Sequence, residues 1–490
     1  MNNEKGITEL KADVLVIGGG GAGVAAAAAA AEKGSKVILL EKRGLGGSSA
    51  LAFGIFAAES PLQQKAGVIC TRDECFKIAM EWARWRINPR VVRAFIDRSG
   101  DTIQWLMEKG VEFETEMFRP RQFSTVHQIK GRGFALIKAL ADSCRQHGGE
   151  IFIHTVAKKI LISQEKRVEG VLAEKEGQLL FINTPTVVIA TGGFAGNKTL
   201  LKQYCPDYHD NMEIIGIPNA GDGILMAMES GAALEGMGNL LLGMPRALHP
   251  PYDEPEDTDI PPSLRRMGLI IFASDPRTLR INKWGKRFVD ESVGMGENAI
   301  VRQPDNVCYS IFDSNLLIIY SEEGTSGPMG TAGENKKISF SEWEQFLIAK
   351  EKKGIIKRCN SISELAFWAG ISPSKLQETI EEYNQFCQKG YDPVFAKDAR
   401  YLVPLNNSPY YIIRWAASCL NTMGGIKINE NTEVIDVNGY PIPGLYAAGV
   451  DTGGSWESPT YCMKISGHAF GFSVISGRIA GEKAAEYAST

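Results

Sequence analysis

The stretch Asp13 to Lys42 constrains this chain more than any other. Val14 to Ile17 is a short apolar, β-branched run of the kind buried in a parallel sheet. Gly18, Gly20 and Gly23 follow at G-x-G-x-x-G spacing. Gly18 makes a tight turn, Gly20 lets backbone approach a pyrophosphate, and Gly23 lets a helix pack on the strand. Val24 to Ala31 is small and helix-prone, so a helix N-terminus faces the phosphates. Val37 to Leu40 reads as a second strand, and Glu41 at its end can accept hydrogen bonds from an adenosine ribose. Strand, glycines, small-residue helix, strand and acid in this order specify a dinucleotide site. The acid disfavours a 2′-phosphate, so the ligand reads as FAD or NAD rather than NADP.

At 490 residues the chain can hold two or three domains with their own cores. The net charge of −4, with no long basic block, gives nucleic acid and anionic membranes no support as partners. Nine scattered cysteines form no disulfide framework, haem attachment site or iron–sulfur cluster. Met1 to Lys11 is polar, without an apolar targeting core, and no apolar run approaches the ~20 residues of a membrane helix. The expectation is a reducing, cytoplasmic enzyme with no metal.

Lys42 to Gly54 is a glycine-rich loop in which Ser48 and Ser49 can donate to phosphate oxygens. Apolar residues at helical spacing predict helix over Asp73 to Gly110, with Trp82 and Trp85 read as core or interdomain packing. Gly133 to His147 is a further helix, and Ile151 to Thr155, Ile160 to Ile162 and Val168 to Ala173 form an antiparallel excursion. Thr186 to Ile189 is a second buried strand, ending in a turn at Thr191-Gly192-Gly193 where backbone can lie against a cofactor. Asp222 opens the helix Ile224 to Ser230, as its cap or as a cofactor contact. Clustered prolines from Pro245 to Pro262 mark entry into a second domain. A capping box at Ser361 and a Ser372-Pro373 start place helices at Glu364 to Ala369 and Lys375 to Gln388. The reading is thus a first domain of residues 1–242 and 404–490 interrupted by a mixed insert of residues 243–403. Ser466 to Ala484 is a closing helix.

These motifs, with Asn282-Lys283-Trp284-Gly285-Lys286-Arg287-Phe288-Val289-Asp290-Glu291, Thr422-Met423-Gly424-Gly425, Gly444 to Gly449 and Gly477 to Gly481, run the length of the chain. Together they resemble the flavoprotein family of fumarate reductases, succinate dehydrogenase flavoprotein chains and 3-ketosteroid Δ1-dehydrogenases. The closest texture is that of soluble flavocytochrome-type fumarate reductases and urocanate reductases. The resemblance implies an α/β fold: a Rossmann-like, glutathione-reductase-type FAD-binding domain with an inserted α+β capping domain. It implies non-covalent FAD, since the Gly47-Ser48-Ser49 loop lacks the histidine that carries covalent FAD in some relatives. By the same resemblance Glu41 binds the adenosine ribose and the Val156 backbone the adenine edge. Lys42, Gly47, Ser48, Ser49, Gly54, Thr191, Gly192, Asp222, Gly449 and Asp451 lie along the cofactor. Ser466, Gly467, Ala469 and Phe470 face the flavin N1 and O2 side.

The resemblance breaks at the chemistry. Where fumarate reductases carry a proton-donating arginine this chain has Met295, and the relay segment is replaced by Ile270 to Ser274. The substrate histidine is Asn421 and the carboxylate-gripping arginine is Lys464; only His249 is kept. A dicarboxylate needs several fixed cationic donors, so fumarate is not the expected substrate. Hydride exchange at the flavin N5 still requires a positioned acid. Tyr461 is the first candidate, Arg302 could replace the lost arginine, Arg277 is weaker, and His249, Asn421, Thr422, Lys464 and Gly467 are candidates to hold substrate. Trp456, Met463 and Phe272 would make the pocket apolar. The reading is an ene-reductase of an enone-like or aryl-alkene substrate, with a ketosteroid-type dehydrogenase or a non-catalytic electron-transfer subunit as alternatives. Electrons would come from an external redox protein, reduced flavin or NADH.

Overall fold

The computed structural model describes residues 7–115, 122–248, 264, 269–292, 296–326, 338–455 and 463–490. The chain forms two compact units. The first comprises residues 1–206, 216–241 and 420–490, and the second residues 207–215 and 242–419.

The first unit is built on a six-stranded sheet. Val14–Ile17 lies at its middle, parallel to Val37–Leu40 on one side and to Thr186–Ile189 on the other. All three strands are buried along their whole length, which is why their sequences are unbroken apolar runs rather than alternating ones. Glu150–Phe152 extends the sheet beyond Val37–Leu40, and Pro441–Ala447 extends it beyond Thr186–Ile189 in parallel register. A second sheet of Thr8–Lys11, Gln178–Asn183, Val168–Lys175 and Thr155–Ile162 holds the later part of the antiparallel excursion read from the sequence. Its first expected strand, from Ile151, belongs instead to the parallel sheet as Glu150–Phe152, and Gln178–Asn183 and the parallel edge strand Thr8–Lys11 were not expected.

The helix Gly21–Glu32 is buried from Gly21 through Ala31 and packs on the closing helix His468–Ala488. Side chains along this seam must be minimal. A Cβ on Gly477 would collide with the Ala22 carbonyl, and one on Gly481 with the Ala26 carbonyl. Small residues here let two helices share a surface at backbone distance, and dispersion over that surface replaces the larger side chains.

The span Asp73 to Gly110 is two helices, Arg72–Trp82 and Pro89–Glu108. Arg84 and Trp85 between them have positive φ, and Asn88 caps the second helix ahead of Pro89. Trp82 and Trp85 are not core: they are 41% and 61% exposed, with Trp85 set edge-on to Phe76.

The second unit centres on antiparallel strands. Cys308–Asp313 pairs with Leu279–Asn282 and with Tyr410–Thr422, and Ile356–Cys359 pairs with the same long strand. One core gathers Leu279, Ile281, Leu365, Leu376, Ile380 and Tyr383. Phe272, expected to line a pocket, lies instead in an aromatic core, stacked on Phe312 and surrounded by Tyr320, Trp343 and Phe346. Asn282 to Glu291 serves this unit's architecture. Arg287 bonds Glu291 and Asp392 and lies over the Tyr383 and Phe395 rings, while Lys397 adds a second cation to the fully buried Glu291.

Candidate cofactor site

The turn after the first strand carries the clearest geometry. Gly18 has φ 109°, open to glycine and strained for other residues, and a Cβ there would strike the Ala190 carbonyl. A Cβ on Gly23 would collide with the Gly18 carbonyl, so helix and strand touch through this glycine. Gly20 differs: a Cβ there would find only the Gly46 carbonyl, 4.0 Å away. Its missing side chain leaves a cradle that the protein itself does not fill. The Gly21–Glu32 helix starts at this point and supplies backbone N–H groups for an anion.

Glu41 ends the second strand beside that turn. One carboxylate oxygen accepts from Gly19 N at 2.7 Å and the other from Arg43 N at 2.6 Å. The Glu41 carbonyl accepts from Thr155 N, which sets Val156 next in line. Lys42 reaches across to an ion pair with Asp222. Asp222 is therefore not the cap of its helix: Gly221 holds the cap position without a side-chain bond, and the Asp222 carboxylate faces Lys42. Gly46 N donates to Gly19 O at 2.9 Å, bringing the Gly47 to Gly54 loop against the glycine turn. Ser48 accepts from Ile217 N at 2.9 Å, Ser49 lies beside Gly21, and Gly54 begins a strand paired with Val126–Gln128.

The second turn, Thr191 to Gly193, is organised by Asp451. This fully buried carboxylate accepts from the Thr191 amide and hydroxyl, from Gly192 N at 3.0 Å and from Gly193 N at 2.8 Å. Burial raises the Asp451 carboxyl above its ordinary range, and these donors act in the opposite sense. The Thr191 hydroxyl also accepts from Gly223 N at 3.0 Å, joining the turn to the helix that carries Asp222. Asn219, which sequence reading missed, donates to Gly192 O at 2.9 Å. Asn421 and Thr422 lie on the other side of the turn, where a Cβ on Gly193 would stand 3.1 Å from Asn421 Oδ1 and 2.5 Å from Thr422 Oγ1. Gly449 N donates to Ser476 on the closing helix at 2.9 Å.

At the start of that helix Gly467 is the N-cap, Ala469 packs against Leu241 and Met423, and Phe470 is buried beside Gly21 and Gly133. Lys464, just ahead, is exposed. The first unit thus gathers the glycine turn, Glu41, the Lys42–Asp222 pair and the Asp451-held turn around one end of its parallel sheet, where dinucleotides bind in open α/β folds. This donor set fits FAD. Glu41 suits ribose hydroxyls, the Gly20 cradle a pyrophosphate, and the closing helix N-terminus an anionic ring edge.

In the second unit Arg302 is 62% exposed in side chain and paired with Asp207 at 3.2 Å. Arg277 is buried and held by both oxygens of Asp275. Tyr461, His249, Trp456 and Met295 lie outside the described residues, as does the Met463 side chain. Among the described residues no group of side chains is arranged to hold a metal, all cysteines are free, and no helix is long and apolar enough to cross a membrane.

The family model described as FAD binding domain matches residues 13–458. The chain is 31% identical to a vinyl phenol reductase of Lactiplantibacillus plantarum, over 97% of this chain and 96% of that protein. It is 28% identical to an NADH:fumarate oxidoreductase of Klebsiella pneumoniae, over 97% of this chain and 48% of that one, so it spans about half of that relative. Among solved structures, the open conformation of a flavocytochrome c3 fumarate reductase superposes with a TM-score of 0.72 at 25% identity, covering 98% of this chain and 79% of that one.

Proposed function

The chain belongs to the FAD binding domain family, and on that premise we propose that it is a FAD-dependent oxidoreductase that reduces an activated C=C bond. The substrate class is an aryl alkene or enone rather than fumarate. The observation that carries this reading is the nearly end-to-end likeness to a vinyl phenol reductase. The exchanged residues support it: Met295 stands where fumarate reductases carry a proton-donating arginine, and Asn421 where they carry the substrate histidine.

When bound, FAD supplies hydride exchange with a substrate carbon. Glu41 holds the ribose, and the Gly20 cradle with Ser49 and the first helix holds the pyrophosphate. Asp451 holds the Thr191–Gly193 turn along which the cofactor would lie. Asn421, beside that turn, would hydrogen-bond a phenol or carbonyl oxygen and Lys464 would add a cation, while Thr422, fully buried, accepts from Phe194 N at 3.2 Å and holds the turn. Tyr461 protonates the neighbouring carbon. FAD is held without a covalent bond, since Gly47, Ser48 and Ser49 offer no histidine. Electrons come from an external donor: a redox protein, a reduced flavin or NADH.

The test is anaerobic reoxidation of the reduced holoprotein against a hydroxystyrene, an enone, a steroid and fumarate. The hydroxystyrene or enone should restore the oxidised flavin spectrum rapidly and fumarate should not. Brisk turnover of fumarate would overturn the substrate class. Bleaching of oxidised flavin by a saturated ketosteroid would select the dehydrogenase direction instead.

A further inference from the structure

The closing helix starts from a corner that is tied back on one side. Gly467 is left-handed, with φ 83°, and His468 continues as helix. The Gly467 carbonyl accepts from Phe56 N at 2.9 Å, and the Ser466 carbonyl accepts from the Thr125 hydroxyl at 2.9 Å. In a planar trans peptide, C=O and N–H point in opposite directions. Fixing these two carbonyls therefore aims the N–H groups of Gly467 and His468 away from strands Gly54–Phe56 and Val126–Gln128. A left-handed residue followed by a right-handed one makes such N–H groups converge.

Thr125 is itself held by a line of buried polar groups. Its carbonyl accepts from Ala57 N at 2.9 Å and contacts His127 Nδ1 at 3.2 Å. A carbonyl can only accept, so Nδ1 carries the proton and Nε2 accepts from the Ser60 hydroxyl, 2.6 Å away. Ser60 is fixed in turn as the cap of helix Pro61–Ala66, accepting from Gln63 N at 3.1 Å. Ser60, Thr125 and His127 are all 3% exposed or less. Apolar packing would join the strands to the corner equally well. A hydroxyl placed on a carbonyl fixes the direction of one particular peptide.

We propose that Thr125, held by His127 and Ser60, is a positioning residue for the flavin, aiming the Gly467 and His468 amides at its N1–O2 edge and so favouring the reduced cofactor. This inference rests on the FAD reading above.

The experiment is a reference-dye titration of the midpoint potential of the FAD-loaded protein. In Thr125→Val the preference for reduced over oxidised flavin should fall tenfold, about 30 mV for a two-electron couple. Thr125→Ser, which keeps the hydroxyl, should titrate as the parent does. Ser99→Ala is the structural control: Ser99 accepts from Ala58 N at 3.0 Å on the same segment but does not reach the corner, so it should lower stability without moving the potential. An unchanged potential in Thr125→Val, or an equal shift in Ser99→Ala, overturns the proposal. Should Thr125→Val fail to fold, Ser60→Ala must give a smaller shift of the same sign, and no shift there overturns it too. A parent protein that takes up no FAD would instead overturn the cofactor reading.

Discussion

Asp451 is a buried carboxylate used almost wholly on a turn, with donors from three successive residues filling both oxygens. An amide has one acceptor oxygen and turns an N–H toward the donors. Asp451→Asn should therefore cost about 2–3 kcal/mol and loosen FAD, read by thermal unfolding and by flavin release. Glu291 sits between Arg287 and Lys397 with no exposure. Glu291→Gln leaves two buried cations short of their counter-charge and should destabilise by about 3–5 kcal/mol. His127 gives a pH dependence, since burial lowers its pKa from 6.5 to about 4. At higher pH the ring is neutral folded or unfolded. As pH falls below 6.5 the unfolded chain takes up a proton that the native ring refuses until about pH 4. Stability should drop across this window by about 1.4 kcal/mol per pH unit. His127→Gln should flatten the slope by one proton in denaturant titrations at stepped pH. Burial lowers His468 in the same direction. None of these buried roles was legible in the sequence. The place of Glu41 beside the glycine turn was, because an acid ending the second strand of this pattern falls there, whereas a lone histidine in Thr125-Val126-His127 has many uses.

At the scale of elements, the glycine turn separates packing from binding. Gly23→Ala places a methyl on the Gly18 carbonyl and should prevent helix and strand from closing, with loss of fold and of flavin together. Gly20→Ala places its methyl in open space, so the protein should keep its melting temperature to within a few degrees while FAD absorbance is lost. The parallel strands were legible because burial on both faces leaves an unbroken apolar run, as in Val37 to Leu40. The break between Trp82 and Pro89 was not read, although Asn88-Pro89 carried its signal, because helical periodicity continues in phase on either side. Asp222 was read by its position in the chain. Its partner Lys42 is remote in sequence, and only the fold brings the two charges together.

For the whole molecule, Tyr461→Phe should lower turnover by about 10²–10⁴-fold while the flavin spectrum stays unchanged, which separates proton transfer from cofactor binding in one variant. A variant with full turnover would remove Tyr461 as the acid. The glycine–alanine seam between Gly21–Glu32 and His468–Ala488 also bears on how the protein is made. A ribosome delivers the helix that starts at Gly21 well before the one that starts at His468, on the order of half a minute apart. Through that interval the alanine face has no partner, so the nascent domain waits half-built for its own tail. Stop codons placed ahead of Gly477 should yield chains that aggregate or are degraded, however complete their nucleotide-binding motif.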